Sequence, residues 1–94
     1  QALYVLLIGE LDESCAPFVR NNLDNLFENE KRFNKVIMDL SQLEFMDSTG
    51  IGVMLGRYKK LQHRNIPIYI INPSKQAEKI LQMSGLYDIM PKIS

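Results

Sequence analysis

The sequence predicts a small α/β domain whose sheet is largely parallel or mixed and is flanked by three to four helices. Three observations carry that expectation: three short apolar runs rich in β-formers, an amphipathic stretch after each of them, and turn or cap residues at the junctions. Strands that alternate with helices, joined by right-handed crossovers, build parallel sheets.

The first run, LYVLLIG over Leu3 to Gly9, is short, apolar and closed by a turn residue. It reads as a strand buried on both faces. After Glu10, Leu11 and Asp12, Ser14 offers an N-cap. Phe18, Val19, Leu23, Leu26 and Phe27 then recur at helical spacing with charges between them, which predicts an amphipathic helix. KVIMDL, Lys35 to Leu40, is the second strand. Ser41 to Asp47 reads as a loop anchored by Leu43 and Phe45. From Ser48 a second helix begins, with Ile51, Met54, Leu55, Tyr58 and Leu61 on its apolar face. Arg57, Lys59, Lys60, His63 and Arg64 gather in its later turns, where cations complement the negative end of the helix dipole. IPIYII, Ile66 to Ile71, is a third buried strand, and Asn72-Pro73-Ser74 supplies a turn and a cap. A last helix presents Ala77, Ile80 and Leu81 and stops at Gly85 in the C′ position.

With 94 residues, residues 1–94 form one domain, and a domain this small buries only about two thirds of the surface its unfolded chain exposes. Eleven basic side chains balance eleven acidic ones. No net field therefore draws nucleic acid or anionic lipid. The lone Cys15 forms no internal disulfide and has no second thiol or histidine cluster at metal-ligand spacing, so no metal or cofactor is expected and a reducing cytoplasm fits. No apolar run approaches the roughly 18 residues that a membrane span requires.

In open α/β sheets, sites form beyond the carboxyl ends of strands. The expected places are therefore Gly9 to Asp12, Asp47-Ser48 and Asn72 to Ser74. Nucleophilic catalysis by Ser48 or Cys15 would need a nearby base. His63, the one histidine, lies about 20 Å along the helix that Ser48 opens, at roughly 1.5 Å per residue. An aspartic-protease reading fails because Asp47 is followed by Ser48-Thr49-Gly50, one residue more than that tripeptide allows, and because a helix follows. Gly50, Gly52 and Gly56 do not have the spacing of a dinucleotide-binding loop. What remains is Ser48, a hydroxyl at a helix start beside Asp47. Its bland reading is an N-cap, worth about 1 kcal/mol.

From Ile8 to Leu86 the sequence resembles the STAS-domain anti-sigma factor antagonists of bacteria. Gly9-Glu10-Leu11-Asp12 matches their GELD turn, Phe45 to Gly52 (FMDSTGIG) their phosphorylation motif, and Met83-Ser84-Gly85-Leu86 a later motif, in the family's order and spacing. The resemblance implies a non-enzymatic, cytoplasmic switch in sporulation or stress-response transcription. The unphosphorylated protein would bind an anti-sigma factor that is also a serine kinase, and so release the sigma factor. Phosphorylation of Ser48 would end that binding and a phosphatase would restore it, with Asp12 and Asp47 beside the modified serine. Family members usually carry a further strand before the first one here and commonly a further helix after the last, so the expectation is either an uncovered sheet edge or a sequence shortened at its ends. The same fold serves as a constitutive interaction module in transporters and stress-signalling scaffolds, where Ser48 would be only a cap.

The partner surface is expected to comprise Asp12, Asp47, Ser48, Thr49, Gly52 and Gly56. The two glycines stand one turn apart in a helix, where each costs roughly 1 kcal/mol relative to alanine. They leave either a shallow stripe for a partner or a site of close packing within the domain, with Gly56 the stronger candidate for packing.

Overall fold

Alternation along three strands sets the architecture of the computed structural model, which describes every residue except Lys31. In chain order the elements are β1 (Ala2–Leu6), β2 (Gly9–Leu11), α1 (Ala16–Asn29), β3 (Lys35–Asp39), β4 (Leu43–Met46), α2 (Ser48–Gln62), β5 (Ile68–Ile71), α3 (Lys75–Ser84) and a 3-10 turn (Leu86–Asp88). The main sheet has the order β1-β3-β5, all parallel. Val5, Val36, Met38, Ile68 and Ile70 point from it into a single core, which Leu23 and Phe27 of α1, Val53, Met54 and Leu61 of α2, and Ala77 and Leu81 of α3 close from the helical side.

The alternation of strand and helix is as expected, but two more strands exist than the sequence suggested. The first run divides: β1 stops at Leu6, and β2 belongs to a separate two-stranded parallel sheet with β4. β4 replaces the expected loop over Ser41 to Asp47. Its inward residues are Leu43 and Met46, whereas Phe45 is 40% exposed rather than an anchor. β1 is also not buried on both faces. It lies at the edge of its sheet, where Tyr4 is 72% and Leu6 51% exposed and only Val5 is buried.

The helices differ from expectation in register rather than in existence. Ser14 does not cap α1; Cys15 occupies that position without a side-chain bond, and Ser14 Oγ donates to Asp12 instead. Phe18 points to solvent. On α2 the buried stripe is Gly50, Val53, Met54, Arg57 and Leu61, while Leu55 is only half-buried and lies off the core. Arg57 is thus not one of the solvated cations at the helix end. Its Nε lies 3.0 Å from Asp24 Oδ1 of α1 without the alignment of a hydrogen bond, and among the described residues its Nη1 has no partner. Lys60 reaches the other oxygen of Asp24 at 2.9 Å, so the carboxylate joins α1 to α2 from between two cations.

α3 begins and ends as its residues predict. Ser74 Oγ accepts from the Ala77 N–H and donates to the Leu43 carbonyl at 2.7 Å, and Gly85 closes the helix at φ 76°, a left-handed conformation that glycine adopts without strain. Beyond the 3-10 turn the chain returns to the sheet, where Lys92 bridges to Ile70. Glu78 of α3 holds that return: it accepts from Lys92 Nζ at 2.7 Å and from the Tyr87 hydroxyl.

Candidate functional site at the ends of β2 and β4

The small second sheet builds the site. β2 and β4 run parallel with Leu11 opposite Met46, and the Asp47 N–H points at the Leu11 carbonyl. Parallel neighbours lie about 4.8 Å apart. Asp12 and Asp47, the next residues on the two strands, therefore leave the sheet side by side, and α1 and α2 start from the same edge. Asn72 to Ser74, expected at this edge as well, is elsewhere: Ser74 bonds Leu43, at the opposite end of β4. The overlooked strand carries the chain a full strand length away from that turn.

Asp12 is held in place. Its Oδ1 accepts from the Cys15 N–H at 3.0 Å and from Ser14 Oγ at 2.9 Å. Donation by the Cys15 backbone, then by Ser14, stabilises the carboxylate and holds its pKa below the ordinary 3.8. Asp12 is therefore ionised throughout the physiological range. The ligating atoms of Glu10, Asp12 and Cys15 lie within 4.8 Å of one another, a proximity that sequence spacing did not suggest.

Asp47, and not Ser48, caps α2. Its Oδ1 accepts from the Thr49 N–H at 2.9 Å and the Gly50 N–H at 3.3 Å. This satisfies two of the donors that a helix start leaves open. Ser48 occupies the first helical position, is exposed, and its hydroxyl makes no hydrogen bond among the described residues. The alternative reading, in which Ser48 is only a cap, does not hold, because the carboxylate one residue earlier already fills that role. Thr49 is half-buried beside it.

Gly50 is the site residue whose role the sequence reading missed. A Cβ there would lie 2.7 Å from the Leu11 carbonyl oxygen and 2.9 Å from Leu11 Cγ, so its absence lets α2 begin directly against β2. A glycine in the first turn of a helix capped by aspartate was the available signal. Gly52 and Gly56 are different. A Cβ at either meets nothing within 4 Å, which removes close packing as their explanation and leaves an open stripe running from Ser48 along α2.

The sequence profile of the STAS domain matches residues 1–94. The chain belongs to the STAS domain family. It is 36% identical over 89 residues, 95% of this chain and 75% of the relative, to the anti-sigma F factor antagonist of Paenibacillus polymyxa. It is 30% identical over 86 residues, 92% of this chain and 74% of the relative, to the anti-sigma-B factor antagonist of Listeria monocytogenes. Among solved structures, this STAS domain superposes on the anti-sigma factor antagonist SpoIIAA in its unphosphorylated form with a TM-score of 0.80 and 29% identity, covering 100% of this chain and 81% of the other. The phosphorylated form of Bacillus SpoIIAA gives a TM-score of 0.69 at 30% identity, covering 99% and 83%.

Proposed function

We propose that this STAS domain is an anti-sigma factor antagonist, acts in the cytoplasm without catalysing a reaction of its own, and loses its partner when Ser48 is phosphorylated. The observation that carries the reading is the division of labour at the start of α2: Asp47 holds the helix, which leaves the Ser48 hydroxyl exposed and unbonded. The names of the relatives supply the partner class, an anti-sigma factor. In our reading that partner is also the kinase: Ser48 Oγ bonds to the γ-phosphorus of ATP as the bond to the β-phosphate oxygen breaks, ADP leaves, and the hydroxyl proton passes to a base of the kinase. A phosphatase reverses the modification.

Phosphate brings about −1.5 to −2 charges. The dipole at a helix start favours that charge by up to about 1 kcal/mol, but the phosphate would share an edge with the ionised Asp12 and with Asp47. A partner that packs apolar or acidic groups there, and along the open stripe at Gly52 and Gly56, meets like charge and desolvation worth several kcal/mol. Each 1.4 kcal/mol is about tenfold in affinity. Release then needs no refolding.

The test is to incubate the protein with ATP and its cognate anti-sigma factor, locate phosphate by mass spectrometry, and compare the binding of both forms. Stoichiometric phosphate on Ser48 and its loss in Ser48→Ala, which still binds, are expected. A phosphoprotein that binds as tightly as the unmodified one would refute the switch and leave a constitutive interaction module.

A further inference from the structure

The strand that leads to Ser48 carries an aromatic ring on its outward face. Leu11 and Met46 are paired across β2 and β4 and are buried, at 1% and 6% exposure. Side chains alternate along a strand, so the preceding pair, Glu10 and Phe45, points the other way and is exposed. Phe45, 40% exposed, therefore stands two residues before Asp47, about 7 Å along β4. Single exposed apolar residues are common, and Phe18 and Met83 are examples on helices. What distinguishes Phe45 is that it adjoins the edge that carries Asp12, Asp47 and Ser48.

We propose that Phe45 is the apolar anchor by which an anti-sigma factor grips this edge, its ring seated in an apolar cleft of that partner. The inference rests on the function proposed above and narrows it. Neither residues 1–19 nor residues 36–56 contain a lysine or arginine, so Glu10, Asp12, Glu44 and Asp47 surround the ring with no cation from the same segments. A second copy of this face, an acidic protein surface or a nucleic acid would be repelled before any phosphate was added. Of the partner surfaces considered above, the charges select the apolar one.

Aromatic side chains dominate interface hot spots, ringed by contacts that exclude water. A cleft closed over Phe45 extends that dry ring over Ser48, where a phosphate dianion would be desolvated without a partner. Anchor and switch are then two parts of one surface. At 40% exposure a phenylalanine leaves about 80 Å² open to solvent, and burying that area is worth about thirtyfold in affinity.

Calorimetric titration of the unphosphorylated chain with its cognate anti-sigma factor tests this, together with the kinetics of Ser48 phosphorylation by that factor and ATP. Both are run at a temperature where circular dichroism shows every variant folded. Phe45→Ala should bind about thirtyfold more weakly and should raise KM while leaving kcat unchanged, as loss of a contact made equally before and during reaction requires. Phe45→Thr, which keeps the strand's β-propensity, should behave alike. Met83→Ala removes a side chain that is 79% exposed in the last turn of α3, a helix that starts at the opposite end of β4, and should change neither quantity. Affinity within about threefold of wild type in both Phe45 variants would overturn the inference, and so would an equal loss in Met83→Ala. Two Phe45 variants that do not fold would show that the ring serves the fold instead, which also overturns it. A wild type that neither binds the factor nor accepts phosphate sinks the proposed function as a whole, whereas a wild type that does both beside unaffected Phe45 variants sinks the anchor alone.

Discussion

Three glycines within seven residues of α2 should respond to alanine in opposite directions, and the comparison among them cancels helix propensity. Each Gly→Ala change gains about 1 kcal/mol from propensity. At Gly52 and Gly56 the new methyl group meets nothing within 4 Å, so that gain should appear whole. At Gly50 the methyl would sit 2.7 Å from the Leu11 carbonyl oxygen, a backbone atom that cannot turn aside as a side chain does. Either the helix start or β2 must move by about half an ångström, and overpacking of this kind costs about 1–3 kcal/mol. Gly50→Ala should therefore melt below Gly52→Ala by that difference, at about 4–8 °C per kcal/mol for a domain of this size. It should also weaken partner binding, because the displaced element carries Ser48 away from Asp12. Thermal denaturation followed at 222 nm is the assay. A Gly50→Ala protein that melts with or above Gly52→Ala would refute the claim that α2 is seated by the missing side chain.

Removing the cap with Asp47→Ala should cost about 1 kcal/mol, whereas Ser48→Ala should leave the melting temperature within error; equal losses would return the capping role to the serine. Asp24→Ala leaves Arg57 buried beside no carboxylate and should cost about 3–5 kcal/mol in chemical denaturation, while Arg57→Met should cost much less. Equal costs for those two changes would show that the packing of the arginine stem, and not its charge, matters. Glu78 has its pKa held below the ordinary 4.5, first by Lys92 and then by Tyr87. A depressed carboxylate contributes stability above its unfolded pKa and loses it as pH falls through the folded one. The wild type should therefore lose melting temperature more steeply than Glu78→Gln below about pH 4.5, and parallel curves would contradict the latch on the returning chain.

Much of this was legible in the sequence because burial and composition agree there. β3 and β5 are continuous runs of β-branched and apolar residues, and α3 is bracketed by Ser74 and Gly85, so pattern and chemistry gave one answer. β2 and β4 were not legible. They are three and four residues long with Glu10 and Glu44 inside them, and a bulge between Gly9 and Glu10 breaks the register. No two-residue period could emerge from such pieces. The buried stripe of α2 was misplaced for a different reason. Arg57 looks like a solvated cation unless Asp24, 33 positions earlier, is known to face it, and that pairing exists only once α1 packs on α2. The motif residues Asp12, Asp47 and Ser48 were found by resemblance; which of the last two caps the helix depended on side-chain geometry.

That geometry bears on what kind of switch the site can be. If Ser48 Oγ capped the helix, esterifying it with phosphate would remove a bond that holds α2, and modification would entail partial melting. With Asp47 accepting from Thr49 and Gly50, the helix start is secured by a neighbour that the proposed phosphorylation of Ser48 would leave untouched. The dipole, moreover, favours the added charge. The cost falls instead on whatever approaches from outside, since Asp12 is fixed and ionised by its own donors and cannot take up a proton to relieve the repulsion near neutral pH. The proposed switch would keep the fold constant and change only the surface that a partner meets. Its strength is then set by how completely the partner excludes water over Ser48.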